Sequence, residues 1–362
     1  MNPNTRKLHD LGQRLWLDNI TRELLTSGTL ARYISELSVT GLTSNPTIFE
    51  QAISKSSVYD QAIQKLADQG LTDEGVFFEV ALQDLTQAAD LFRPIFDESA
   101  GADGWVSLEV SPLLANDTAG TVKAALQRHA RAARPNLFIK IPGTPEGIPG
   151  IEQSIFDGVP INVTLLFSRE HYMAAAEAYL RGVERRLAAG LDPKVESVAS
   201  MFVSRWDVTV KDEVAPAFHN RLGIAIAMRT YGAYRKLLAS ERWKRLAQAG
   251  ARPQRLLWAS TGTKDAAAPD TLYVQALLAP GTIDTIPEKT LLAFADHGKA
   301  GAVLPVDGGY SEAVLEEFRR EGVDDAALAA RLQHEGVQAF AKSWSALMAR
   351  ISEKSVAVAG LV

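Results

Sequence analysis

Along this chain, short apolar runs alternate with longer stretches whose apolar residues recur about every 3.6 positions, the periods of strand and helix. The runs that read as strands are Arg14–Asp18 (RLWLD), Val39–Ser44 (VTGLTS), Trp105–Pro112 (WVSLEVSP) and Asn136–Gly143 (NLFIKIPG). Pro160–Ser168 (PINVTLLFS), Val195–Ser204 (VESVASMFVS), Gln254–Ser260 (QRLLWAS) and Gly281–Pro287 (GTIDTIP) complete the set. Between them the spacing predicts helices over Glu79–Phe96, Thr118–Ala133, Arg169–Ala189, Gly223–Ala249 and Glu288–Gly298. Two or more terminal helices are expected from Ser311 to Ser352. Asp117 and Ser168 stand where N-caps belong, and Gly190 and Gly250 where helices stop.

Eight strands alternating with helices predict an α/β fold, a (β/α)8 TIM barrel. Such a barrel takes about 250 residues. The whole chain, 1–362, is therefore read as one barrel domain with additional helices at the N-terminus, after the second strand and at the C-terminus. A doubly wound open sheet shares the alternation. No G-x-G-x-x-G follows the first strand, however, and no G-K-[ST] phosphate loop occurs anywhere, which counts against it.

Composition narrows the class. Apolar residues make up 46% and charged residues 22%, with a net charge of −5, so the chain is globular and carries no basic footprint for nucleic acid or an anionic membrane. It has no cysteine, which excludes disulfides and thiolate chemistry. The first ten residues, MNPNTRKLHD, lack the apolar stretch of a signal peptide, and no run approaches the roughly 20 apolar residues that span a bilayer. A cytoplasmic location is expected, and the oligomeric state is left open.

Side-chain parity then singles out polar residues. In NLFIKIPG, Leu137, Ile139 and Ile141 share one face, and Phe138 and Lys140 the other. Likewise Glu109 opposes Leu108 and Val110, Asn162 and Thr164 oppose Ile161, Val163 and Leu165, and Asp18 opposes Leu15 and Leu17. In a barrel these polar groups point inward, late in their strands, at the C-terminal mouth where active sites sit. Buried charges are costly unless paired, so a lysine and two carboxylates converging there suggest chemistry.

A desolvated lysine amine attacks a carbonyl to form a Schiff base, and nearby carboxylates move the protons of dehydration and C–C cleavage. That scheme needs no metal and no cofactor, and the six histidines are scattered without a ligand pair. Structural alternatives exist: Asp18 as a helix cap, and Asn45 as the N-cap of a helix opened by Pro46.

Taken in order, LWLDNITRELL, GLTSNPTIFE, SLEVSP, LFIKIPGT, INVTLLFS and WASTGTK resemble the sequence blocks of the transaldolase family, in its longer bacterial branch. The resemblance runs from about Arg14 to the terminal helices. It implies a class I aldolase-type barrel of the non-oxidative pentose phosphate pathway. Such an enzyme moves a dihydroxyacetone unit from sedoheptulose 7-phosphate or fructose 6-phosphate to glyceraldehyde 3-phosphate or erythrose 4-phosphate.

By position in its block, Lys140 resembles the Schiff-base lysine, Glu109 the carboxylate that shuttles protons through a water held with Thr164, and Asp18 the base for C–C cleavage. Asn45, Asn162 and Ser200 match positions that hold sugar hydroxyls, with Phe202 as an aromatic wall. Arg205 resembles the phosphate-binding arginine. Lys264 is assigned the second phosphate cation, although shorter branches carry an arginine near that block. The partners so implied are small sugar phosphates. Three other functions remain: a simple aldolase using the same lysine, a glycoside hydrolase built on Asp18 and Glu109, and a non-catalytic sugar-phosphate binder relying on Arg205 and Lys264.

Overall fold

The computed structural model describes residues 1–357. Eight parallel strands pair in chain order and close into a barrel. They are β1 (Arg14–Asp18), β2 (Val39–Thr43), β3 (Val106–Glu109), β4 (Leu137–Pro142), β5 (Ile161–Leu166), β6 (Ser197–Phe202), β7 (Arg255–Ala259) and β8 (Ile283–Ile286). Pairing of β8 with β1 excludes the open sheet. All eight expected strands form, trimmed at their ends. The run Trp105–Pro112 stops at Glu109 because Pro112, which lacks an N–H, opens a 3-10 turn at Pro112–Leu114.

The long helix expected over Gly223–Ala249 is two helices, Leu222–Ala239 and Glu241–Gln248. Ser240 between them is extended, and its hydroxyl accepts from the Trp243 amide, so a cap outcompetes helix continuation there. Asp117 and Ser168 do cap their helices, accepting from the Gly120 and His171 amides. Added helices appear where the surplus length required them: Pro3–Asp10 before β1, Pro46–Lys55, Asp60–Asp68 and Asp73–Glu98 after β2, and Ser311–Arg320 and Asp325–Ala357 at the end. No helix among the described residues is long and apolar enough to cross a membrane.

The barrel is plugged at its N-terminal end by aromatic rings. Phe138 stacks on Trp105 at 4.1 Å between centroids and lies 6.2 Å from Trp16. Gly41 on β2 makes room for this layer, since a Cβ there would lie 2.7 Å from the Trp16 indole. Water is therefore kept from the lower barrel, and the polar side chains above the plug face the mouth alone.

On the outer face of β8, Asp284 is fully buried against the helices. Thr261 Oγ1 lies 2.8 Å from its Oδ1 and 3.2 Å from the Thr285 carbonyl, while Asp284 Oδ2 has no partner. Burial pushes this carboxyl up to about 7.

The last helix, Asp325–Ala357, crosses the C-terminal mouth and packs on Pro46–Lys55. Trp344 anchors it, with centroids 5.1 Å from Phe77 and 5.6 Å from Phe78.

Candidate active site

Strand register brings the inward polar residues level. Glu109 on β3 pairs with Lys140 on β4, which pairs with Asn162 on β5, and Asp18 on β1 pairs with Thr43 on β2. Lys140 is buried, and its Nζ donates to Glu109 Oε2 at 3.3 Å and to the Ser44 carbonyl at 3.2 Å. Burial pushes the Glu109 carboxyl above the usual carboxylate range, against the opposing pull of Lys140. A carboxyl raised in this way holds its proton to higher pH than a solvated one and is suited to giving a proton as well as taking one.

Its other oxygen, Oε1, is buried without a protein partner, and so is Thr164 Oγ1 on β5. Each is a buried oxygen left without a protein hydrogen bond, the kind of group that an ordered water satisfies.

Asp18 faces the cavity, and Thr43 Oγ1 donates to its Oδ1 at 2.7 Å. Thr43 Oγ1 also lies 2.7 Å from Thr285 Oγ1. Because the Thr43 proton is committed to Asp18, Thr285 donates to Thr43, and β8, β2 and β1 are joined by one hydroxyl chain. Enclosure by the barrel wall raises the Asp18 carboxyl, while Lys140 and the Thr43 hydrogen bond pull it down. The helix that follows β1 is capped by Thr21, which accepts from the Leu24 amide, so the capping alternative for Asp18 does not hold.

Asn45 is the N-cap that the sequence offered as a structural alternative, and it also stands in the cavity wall. Its Oδ1 caps Pro46–Lys55 through the Ile48 amide at 3.0 Å. Asn162 is fixed from two sides, accepting from Ser200 Oγ at 2.7 Å and donating to Ser107 Oγ at 3.1 Å.

Eight of the ten residues singled out in the sequence line one cavity of about 380 Å³: Asp18, Asn45, Lys140, Thr164, Ser200, Phe202, Arg205 and Lys264. Glu109 and Asn162 stand behind that wall, each hydrogen-bonded to a lining side chain, Lys140 and Ser200 respectively. Arg205 sits with its guanidinium 5.5 Å from the Phe202 ring, and desolvation lowers it from the usual arginine value. Among the described residues neither Arg205 nor Lys264 pairs with a carboxylate, so both cations are free for an anionic ligand.

Thr43, Ser260, Thr285 and Phe340 also line the cavity and were not singled out from the sequence. Thr43 and Thr285 had a signal: both are polar residues late in an apolar strand, on the inward parity. Ser260 had none, because its role follows from a left-handed backbone (φ +56°) held by the Ser204 amide and hydroxyl. Phe340 arrives on the last helix, which the sequence order places far from the strands.

The family model described as transaldolase/fructose-6-phosphate aldolase matches residues 15–351. The chain belongs to this family. A transaldolase of Thermobifida fusca is 44% identical over 97% of this chain and 98% of its own length. A transaldolase of Renibacterium salmoninarum is 42% identical over 98% of this chain and 97% of its own. A transaldolase of Thiobacillus denitrificans is 43% identical over 96% of this chain and 99% of its own. In this member of the transaldolase family, the matched span begins at β1 and ends inside the last helix, so it takes in every strand and the helix over the mouth.

Proposed function

We propose that this chain is a transaldolase of the non-oxidative pentose phosphate pathway, using Lys140 as the Schiff-base nucleophile. It takes a dihydroxyacetone unit from a ketose phosphate (sedoheptulose 7-phosphate or fructose 6-phosphate) and passes it to an aldose phosphate (glyceraldehyde 3-phosphate or erythrose 4-phosphate). The observation that carries this reading is the buried pairing of Lys140 Nζ with Glu109 beside two partnerless oxygens, Glu109 Oε1 and Thr164 Oγ1.

The steps follow from those contacts. The Lys140 amine adds to the ketose carbonyl, and Glu109, through a water shared with Thr164, protonates the departing hydroxyl to leave the iminium. Asp18, whose Oδ1 is held by Thr43, takes the proton from the sugar hydroxyl next to the breaking bond. The C–C bond cleaves, the aldose phosphate leaves, and the three-carbon unit remains on Lys140 as an enamine. That enamine attacks the incoming aldehyde, and the sequence reverses. Asn45 and Ser200 hold hydroxyls, Asn162 stands behind them and positions Ser200, and Arg205 and Lys264 receive the phosphate at the rim. Such chemistry suits a cytoplasmic metabolic enzyme acting on small sugar phosphates.

The hydrolase reading gives Lys140 no task, although it occupies the centre of the site. The binder reading leaves the lysine–carboxylate set unexplained. Borohydride reduction with fructose 6-phosphate, followed by peptide mass spectrometry, tests the proposal. A three-carbon adduct on Lys140 is expected, and none should form in Lys140→Met. Absence of any adduct, or turnover retained in Lys140→Met, would overturn the mechanism.

A further inference from the structure

The last helix does more than cover the fold. Phe340, on Asp325–Ala357, is 5% exposed and lines the cavity, with Lys140 Nζ 5.8 Å from its ring centroid. The backbone that carries it is pinned on both sides. Toward the N-terminus, Gln333 Nε2 donates to the Gly143 carbonyl at 3.0 Å and the Leu165 carbonyl at 2.9 Å. At Gly336 the helix lies so close to β5 that a Cβ would come within 3.0 Å of Leu165 Cδ2. Toward the C-terminus, Ser343 and Thr47 share a hydrogen bond of 2.8 Å, and Trp344 is buried against Phe77 and Phe78. Phe340 is thus a fixed apolar roof over the amine end of the site.

The position matters for one step. After cleavage the enamine carbon waits for an aldehyde, and any proton donor that reaches it first diverts the cycle. Water would then supply a proton to that carbon, forming C–H and the iminium. A second water would add to the imine carbon, the C–N bond would break, and dihydroxyacetone would leave with the lysine restored. The balance is hydrolysis of the intermediate by water alone. The proton-shuttling water assigned to Glu109 belongs to the proposed cycle itself, so what must be excluded is bulk water entering from the mouth.

We infer that Phe340 is the residue that sets the partition between transfer and hydrolytic release, by sealing the mouth side of the Lys140 intermediate against bulk water. This rests on the transaldolase reading above. Phe340→Ser opens the roof, and Phe340→Leu keeps an apolar but smaller one. The measurement is the ratio of dihydroxyacetone released to acceptor product formed from fructose 6-phosphate, together with deuterium incorporated into released dihydroxyacetone in D2O.

Phe340→Ser is expected to raise that ratio by about tenfold or more, with deuterium appearing in the product, and Phe340→Leu to fall between it and the unaltered protein. A purely structural role would lower both rates together and leave the ratio unchanged. An unchanged ratio in both variants, with the borohydride adduct still forming on Lys140, overturns the assignment of Phe340 alone. Loss of the adduct from the unaltered protein overturns the underlying reading instead. If Phe340→Ser does not fold, the Leu variant decides, because an unchanged ratio there refutes the seal.

Discussion

Replacing Asp284 by asparagine should make the protein more stable at pH 8 and leave it nearly unchanged at pH 4. Asp284 is fully buried behind β8, and among the described residues its only side-chain partner is the Thr261 hydroxyl. That hydroxyl has one proton and two acceptors in reach, Asp284 Oδ1 and the Thr285 carbonyl. A protonated carboxyl that donates to Thr261 frees the threonine proton for Thr285 and satisfies both. An asparagine with Nδ2 turned to Thr261 makes the same pair of bonds without an ionisable group.

Burial raises the carboxyl from 3.8 to about 7. The folded protein therefore binds a proton that the unfolded chain has released across that interval, and stability falls as pH rises through it. The stabilisation is fully present below 3.8 and gone above about 7. At 1.36 kcal/mol per tenfold change, the interval amounts to about 4 kcal/mol. Between pH 5 and pH 8 the stability difference between Asp284→Asn and the unaltered protein should move by about 3 kcal/mol in favour of the variant. Urea unfolding followed by tryptophan fluorescence at the two pH values measures it. Other buried acids, Asp207 and Glu109 among them, titrate in both proteins and largely cancel in the comparison. A difference that does not change with pH would refute the reasoning, since Asp284 would then keep one charge state throughout.

Thr43→Val removes the hydroxyl that joins Asp18 to Thr285, so the Asp18 carboxyl should rise further and C–C cleavage should slow by about tenfold to a hundredfold, from the worth of a hydrogen bond to a charged group. Single-turnover release of the aldose reads this step, and an unchanged rate would remove Thr43 from the machinery. Glu109→Gln keeps the shape but cannot carry the proton, and a drop of about 10²-fold or more in Schiff-base formation is expected, whereas Asp18→Asn should let the Schiff base form and block its cleavage. Rapid-quench borohydride trapping separates the two, and identical profiles would undo the division of roles. Arg205→Ala and Lys264→Ala should each raise KM for fructose 6-phosphate while leaving turnover of unphosphorylated fructose unaltered. A matching loss on both sugars would mean that the cations act elsewhere.

The sequence by itself determined the alternation of strands and helices and the polar face of each strand. Period-2 apolar runs separated by helical stretches dictate alternating elements, and parity alone sends Lys140, Glu109, Asp18, Asn162 and Thr164 to the face opposite the apolar residues. These are local consequences of backbone geometry, so they are written locally. Asn45 shows the limit of that reading, because its cap and its place in the cavity are two uses of one amide.

What the tertiary structure decided is what depends on closure and return of the chain. The hydroxyl chain from Thr285 to Asp18 exists because β8 pairs with β1, a contact between the two ends of the strand order. The left-handed Ser260 is fixed by Ser204, the first residue of the helix that follows β6. Phe340 reaches Lys140 across 200 residues of sequence because the last helix is pinned over the mouth. No periodicity encodes such a meeting, since it depends on where the helix docks as well as on which way its own side chains point.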